Sequence, residues 1–463
     1  MKKITGLILM LSMLLMSTGC GDNASEKEPS TGKEAAETTS VPEETDSSSE
    51  AETTAQTEPE EKTTTTESTT KESTTVPSNP ENEVALLDMN KQIMHESVSS
   101  IQYAATLTEM NCATASLGEN AAKRYPDLAS AINSISDFYE VNLLEQNDIY
   151  AETAEEALSS GEENFETYMF DLNVHIRRAD SVAVSILHDS YDYYGIDAER
   201  KSFWGENFNT ETGETIYLPD VVTDIDQLAE AVEAELYKSF GADTFYSDTA
   251  IENHFKDYGA DGSHWTLEYN GVTVYFGEGE IAGSDFGAIN LTIEFAEYPE
   301  LFNDKYTAVP EAYIVELPMK SNFYTDLDGD GNGDEISVVD SYDEENDYYA
   351  TLYIYVPEVY YAESFWAYGC EPYYVKTADS KNYLYVFTEL ETQMYLYVYE
   401  ITDTTVTKVG EVNVSPFYNN GISAILTDPN SMYFDIFSDE AGGRISEGNN
   451  IFLVGVDGMP AQG

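Results

Sequence analysis

The sequence predicts an α+β fold, with helices laid on an antiparallel sheet, followed by an all-β C-terminal domain that is either propeller-like or a sandwich. Three observations carry that reading. A helical period of apolar residues follows Tyr125-Pro126, alternating segments meet across turn residues between 168 and 276, and from about 313 short strands recur with no helical period.

The first helix is read from Leu128, Ile132, Ile135, Tyr139 and Leu143, with Pro126 suited to a first helical turn, where its missing N–H costs nothing. Tyr168, Phe170, Leu172, Val174 and Ile176 then alternate strictly. Arg177 to Asp180 read as a turn, and Val182, Val184 and Ile186 alternate again, giving a hairpin. A second hairpin joins 265–269 to 272–276 through Asn270-Gly271, a dipeptide that favours the tight turn matching the twist of paired strands. Between the hairpins, Ile225, Leu228, Val232, Leu236 and Phe240 form another amphipathic helix, capped by Thr223 or Asp224. Residues 83–312 therefore form the α+β region. In 313–463, strands are expected at 336–339, 351–356, 383–387, 394–399 and 406–414, separated by turn residues such as Ala378-Asp379-Ser380-Lys381. The roughly 150 residues available are too few for a complete large propeller.

Ahead of the folded part lies a different kind of chain. Lys2 and Lys3 precede an uncharged run from Ile4 to Met16, long enough for a signal-peptide core and too short for an ordinary membrane span. The following Ser17-Thr18-Gly19-Cys20 resembles the lipobox of bacterial lipoproteins. The resemblance implies that 1–20 is a lipoprotein signal region cut just ahead of Cys20, with lipid on the new N-terminal Cys20 and a place on the extracytoplasmic face of a bacterial cell membrane. Residues 21–82 are rich in Glu, Thr, Ser and Pro and contain no aromatic residue, so they cannot bury enough apolar surface to offset the entropy of ordering. They read as a disordered tether of about 60 residues, spanning roughly 40 to 50 Å as a coil.

Charge narrows the partners. With 87 acidic against 21 basic residues and a formal charge of −66, nucleic acid is excluded as a partner, because phosphate recognition needs clustered Lys and Arg. Divalent cations and basic proteins are the natural counterparts of such a surface. Besides Cys20 only Cys112 and Cys370 remain, which is no disulfide framework, and two separate thiols are expected.

The sharpest local motif is Asp326-Leu327-Asp328-Gly329-Asp330-Gly331-Asn332-Gly333-Asp334. Carboxylates at loop positions 1, 3, 5 and 9, with glycine at 6, place hard oxygen ligands around Ca²⁺, with the Asn332 carbonyl as a further ligand. Ser337 stands where an EF-hand carries its bidentate glutamate, and no flanking helices are expected. The loop thus resembles the calcium loops between strands of FG-GAP and related extracellular β-repeats, which implies a structural ion. Tyrosines alternate at Tyr353 and Tyr355, at Tyr383 and Tyr385, and at Tyr395, Tyr397 and Tyr399. They suit packing on half-buried pleats, and a row on one face would also suit stacking on sugar rings. The five histidines, His95, His175, His188, His254 and His264, show no metal-binding spacing. No nucleophile elbow is present, and no carboxylate pair can be singled out. The chain is therefore not expected to be an enzyme.

The run from Phe208 to Asp220, which includes Thr212-Gly213-Glu214-Thr215-Ile216-Tyr217-Leu218-Pro219-Asp220, is followed by a helix, the Asn270-Gly271 hairpin and Glu280-Ile281-Ala282-Gly283 before a last strand. Together these resemble the RsiV-like extracytoplasmic domain shared by a lysozyme-receptor anti-sigma factor and certain peptidoglycan deacetylases. The resemblance spans roughly 120 to 300 and implies an α+β fold and, in some members, lysozyme binding. The segment Tyr193-Tyr194-Gly195-Ile196-Asp197 departs from the family pattern. Only Met1 to Lys3 precede the apolar run, so no sigma-factor-holding segment is expected, and no deacetylase metal motif follows. The expected function is a lipid-anchored binding module for a basic protein or for peptidoglycan, with a hydrolase of wall polymers as the alternative.

Overall fold

A computed structural model of the chain describes residues 84–462 other than 162–164, 196–199, 248, 259–263, 344–347, 391–392, 417, 420–421 and 437–450. Cys20, the tether, Ile196 and Asp197 lie outside the described residues. The fold is mostly β, built from several open sheets with few helices.

The chain begins with two long strands, β1 (Met89–Ser100) and β2 (Ala105–Leu117), paired antiparallel from Met89–Leu117 to Ser100–Ala105. A short helix α1 (Glu119–Arg124) leads into α2 (Pro126–Ser160), which starts on Pro126 and ends where Gly161 turns left-handed at φ 89°. The helix outruns its apolar stripe because the last turns are filled with Ala and Glu, strong helix formers. It serves as the crossover that returns β3 (Tyr168–Ala179) parallel to β2. Leu128 and Ile132 share a buried cluster with Val174, Ile176 and Val184, while Leu143, Tyr150 and Ala154 share another with Met110, Tyr168 and Leu172. The helix thus covers one face of the sheet along its length.

β4 (Ala183–Tyr193) pairs with β3, and β5 (Arg200–Asn209) pairs with β4. The reading of Arg177 to Asp180 as a turn is corrected here. β3 continues to Ala179, and the reversal is made by Asp180, whose Oδ1 accepts from the N–H groups of Val182 (2.7 Å) and Ala183 (3.0 Å). A bulge between Ile176 and Arg178 lets two consecutive arginines enter the interior.

After the one-turn α3 (Leu218–Val221) comes α4 (Ile225–Phe240), capped by Asp224 as expected, whose side chain accepts from Asp226 N and Gln227 N. Its Leu228, Val232 and Leu236 are fully buried, each worth about 1.5 to 3 kcal/mol of burial. They pack with α5 (Ala250–Tyr258) on a three-stranded sheet of β6 (Trp265–Leu267), β7 (Gly271–Phe276) and β8 (Ile289–Glu294). The expected hairpin forms, but its turn is corrected. Trp265 lies opposite Val274 and Glu268 N donates to the Gly271 carbonyl at 2.8 Å, so Tyr269 and Asn270 make the reversal and Gly271 already belongs to β7. Gly205 of β5 lets this sheet approach, since a Cβ there would lie 1.9 Å from the Trp265 carbonyl.

Beyond the short α6 (Asp304–Thr307), the described residues form strands and their connecting turns. β9 (Tyr313–Glu316) joins a later sheet, and β10 (Asn322–Thr325), β11 (Asp334–Asp343), β12 (Tyr348–Val356) and β13 (Val359–Ala367) form a four-stranded meander. β14 (Gly369–Lys376), β15 (Asn382–Glu389), β16 (Met394–Ile401) and β17 (Val406–Pro416) follow, then β18 (Tyr418–Asn419), β19 (Ile422–Ile425), β20 (Met432–Ile436), β21 (Ile451–Val454) and β22 (Pro460–Gln462). The eight-stranded sheet runs in the order β22-β21-β20-β17-β16-β15-β14-β9. Tyr383, Tyr385 and Phe387 of β15 pack toward the Val174 and Ile176 cluster. Leu384 and Val386 pack toward Ile336, Leu352 and Ile354 of the four-stranded sheet. These strands stack in layers and close no ring of blades among the described residues. Near the C-terminal end, β19 pairs with β1, Met89 opposite Ile425.

Candidate functional site

The Asp-rich motif is the hairpin loop between β10 and β11, closed by the Thr325–Asp334 pair. Asp326 organises it. Its Oδ1 accepts from Gly329 N (2.6 Å) and Asp330 N (3.2 Å), and its Oδ2 accepts from Gly331 N (3.1 Å). Gly329 and Gly331 take positive φ of 83° and 92°, which is why glycine stands there. Asp334 Oδ2 accepts from Leu327 N at 2.8 Å. One carboxylate oxygen from each of Asp326, Asp328 and Asp334 lies within 4.8 Å of the others. Burial, then the charges of Asp328 and Asp326, push the Asp334 carboxyl above its ordinary range. Asp330 is held apart from this group. Its Oδ1 accepts from both the backbone N–H and the side-chain amide of Asn332, which keep its carboxyl below the usual range. Three of the five expected ligands therefore converge. The donor set suits a hard cation, and among the described residues no basic side chain pairs with Asp326, Asp328 or Asp334.

Glu294, at the end of β8, supports the loop from below. A Cβ on Gly333 would come within 2.8 Å of its carboxylate. Asn270 Nδ2 donates to it at 2.6 Å, and burial together with Asp326 raises it to about 7.

A second polar centre is internal. Arg177 Nε donates to both oxygens of Glu268 at 2.9 and 3.2 Å, and its Nη1 donates to the Glu316 carbonyl at 2.7 Å. Arg178, fully buried, donates to Asp180 (2.8 Å) and to the carbonyls of Tyr306 and Ala308 (both 2.7 Å). Lys91 of β1 meets Glu316 of β9 at 2.5 Å, with His175 3.3 Å from Glu316 and 3.4 Å from Asp189. Burial alone would raise Glu316, but Lys91 and His175 outweigh it and bring the carboxyl to about 2. For His175 burial acts downward, and the two carboxylates overcome it to raise the imidazole. This centre was not legible in the sequence, because an Arg-Arg pair before Ala-Asp ordinarily marks a surface turn.

A third grouping joins residues from three elements: His254 on α5, His264 directly before β6, and Glu280 in the turn after β7. One ring nitrogen of each histidine and one Glu280 oxygen lie within 4.8 Å of one another. His254 Nδ1 is hydrogen-bonded to Glu280 Oε1, and the Glu280 Oε2 accepts from Gly277 N at 2.7 Å. The remaining histidines sit elsewhere, His188 on Glu206 at 3.1 Å and His95 on Asn111 at 2.9 Å.

The tyrosine rows divide. Tyr383, Tyr385 and Tyr399 are core residues, buried between layers. Tyr355 (43% exposed) and Tyr360 (63% exposed) stand on the outer face of the four-stranded sheet, with ring centroids 5.9 Å apart and Tyr353 a further 6.4 Å along. Trp366 (49% exposed), past a register shift between β12 and β13, is flanked by Tyr348 at 5.7 Å and Tyr368 at 5.5 Å. Cys112 and Cys370 are unpaired thiols, both pushed up to about 12 by burial and so poor nucleophiles.

No protein-family model matches the chain, and no curated protein matches it. Among solved structures it is weakly similar to two DUF3298-family proteins. One, from Bacteroides fragilis, is 12% identical with a TM-score of 0.36, the match covering 48% of this chain and 95% of that one. Another, from Pseudomonas aeruginosa, is 15% identical with a TM-score of 0.31, covering 48% and 97%. Likeness at this level leaves function to be argued from the residues.

Proposed function

We propose that the chain is a lipid-anchored extracellular binding module, held to the membrane through Cys20, which takes a wall glycan on the outer face of the β11–β13 sheet. The observation that carries this reading is the exposed row of stacked rings, Tyr353, Tyr355 and Tyr360, on strands whose same-face neighbours are small or hydroxylated, such as Ser337, Thr351 and Ser364. Flat rings offer the C–H faces of sugars a surface, and adjacent hydroxyls answer their polar edges. A Ca²⁺ ion on Asp326, Asp328 and Asp334, with Asp330 and the Asn332 carbonyl swinging in, would fix the hairpin that begins this sheet. The absence of a nameable catalytic pair makes the alternative, a hydrolase of wall polymers, the weaker reading. The RsiV-like resemblance, with an acidic excess of 87 over 21, supports a basic lysozyme-like protein as a second ligand.

The test is co-sedimentation with insoluble peptidoglycan and, separately, with lysozyme, for the native chain and for Tyr355→Ala/Tyr360→Ala. Loss of two stacking rings should weaken peptidoglycan binding about tenfold. Equal retention of native and doubly substituted chain on peptidoglycan, or retention of neither, removes the glycan reading. Soluble muropeptides released during incubation would instead support the hydrolase.

A further inference from the structure

We propose that His254, His264 and Glu280 form a binding site for one Zn²⁺ ion, separate from the calcium loop. Two imidazole nitrogens and one carboxylate oxygen are the donor set of a borderline divalent ion. Calcium instead asks for six to eight hard oxygens. Ligands about 2.1 Å from a tetrahedral ion stand about 3.4 Å apart, so donor atoms already within 4.8 Å of one another need only small side-chain rotations to close on it.

The surroundings hold these donors in place. The His254 ring is wedged against Phe276 at 4.5 Å and Phe255 at 5.5 Å, which limits it to small rotations. The backbone of His264 is tied to the sheet by Tyr275 N donating to its carbonyl at 2.9 Å. Glu280 is fixed through the oxygen that Gly277 N occupies, leaving its other oxygen facing His254. The pairing of His254 Nδ1 with Glu280 shows where a proton stands that a metal ion would displace. His264 and Glu280 are partly exposed, so an ion can enter from solvent and keep a water in the fourth position. Because the ligands come from α5, the start of β6 and the turn after β7, the ion would crosslink the helical layer to the three-stranded sheet. The site adds to the glycan reading and does not depend on it.

The experiment is equilibrium dialysis of the chelator-stripped chain against Zn²⁺ with metal analysis, repeated with Co²⁺ to read the visible absorption of a tetrahedral site. The expected result is one equivalent of zinc, with affinity reduced at least tenfold in both His264→Ala and Glu280→Gln. It should be unchanged in Asp328→Ala and His188→Gln. Glu280→Gln preserves size and shape, and its circular dichroism spectrum reports whether it folds. A zinc-induced rise in melting temperature should be present in the native chain and absent from folded Glu280→Gln. No stoichiometric zinc at submillimolar concentration, or equal affinity in the native chain and both ligand variants, would overturn the assignment.

Discussion

The interior ion pairs and the β10–β11 loop are both crowded with carboxylates, yet they solve the problem of like charge in opposite ways. Inside, Glu268, Asp180 and Glu316 each have a cationic side chain from the same chain, supplied by Arg177, Arg178 and Lys91 at 2.9 Å or less. In the loop, Asp326, Asp328 and Asp334 converge within 4.8 Å with backbone N–H groups as their partners and no basic side chain among the described residues. Buried charge must be compensated at the moment of folding, so its counter-charge is written into the sequence. Half-exposed charge at a hairpin can wait for an ion from solvent. The lesson is that the same residue type signals structure in one setting and a ligand site in the other, and that the available cation decides which.

The contrast can be broken most severely from the inside. Arg178→Met should leave Asp180 buried and unpaired and cost about 3 to 5 kcal/mol, read by chemical denaturation. A loss under 1 kcal/mol would show that the interior pairs are not the folding constraint described here.

Next in size is the pH dependence of the Glu316 centre. Its carboxyl lies at about 2, below the ordinary 4.5, so its contribution is complete above about 4.5 and is lost as pH falls toward 2. The difference corresponds to about 3 kcal/mol. His175 is raised above 6.5, so its contribution is complete below that value and fades as pH rises through its folded pKa. Stability contributed by this centre should therefore peak between about pH 4.5 and 6.5. In Glu316→Gln the acid limb should flatten, and in His175→Gln the alkaline decline should shrink; unchanged profiles would contradict both assignments.

The smallest effect is expected at the surface. Tyr360→Ala removes an exposed ring and should change stability by no more than about 0.5 kcal/mol in a thermal melt, whereas Tyr385→Ala, in the core, should cost about 3 to 5 kcal/mol. Equal costs would mean that the outer aromatic face is packing rather than a ligand surface.

Much of the framework was legible because its signals are local. Pro126 and the Asp224 cap each act on their own neighbours and both appear where expected, and the 265–276 hairpin forms with its turn moved one residue back, to Tyr269-Asn270. β1 and β2 escaped notice because their Met, Ala, Asn and Ser residues lack the β-branched and aromatic alternation that marks a strand; pairing with each other and with β19 holds them. Tyr383 and Tyr385 suited packing from the sequence, but period two says only which residues share a face, and not which layer covers it. The His254, His264 and Glu280 group was invisible for a related reason: its members meet only when α5 packs on the β6–β7 hairpin. The Asp loop was the reverse case. Its spacing located the site, while the hydrogen bonds from Asn332 that draw Asp330 aside depend on the folded turn.

The most direct test of the contrast is a melt of the whole chain with calcium and with chelator, for the native protein, Asp328→Ala and Arg178→Met. Affinity in the range of about 10⁻⁴ to 10⁻³ M is expected for a loop lacking the position-12 glutamate. Calcium at 100 times the dissociation constant should then stabilise the native chain and Arg178→Met alike by about 2.7 kcal/mol, and Asp328→Ala by much less. Identical midpoints with calcium and with chelator in the native chain would contradict the account, showing that the loop is an acidic turn that needs no ion.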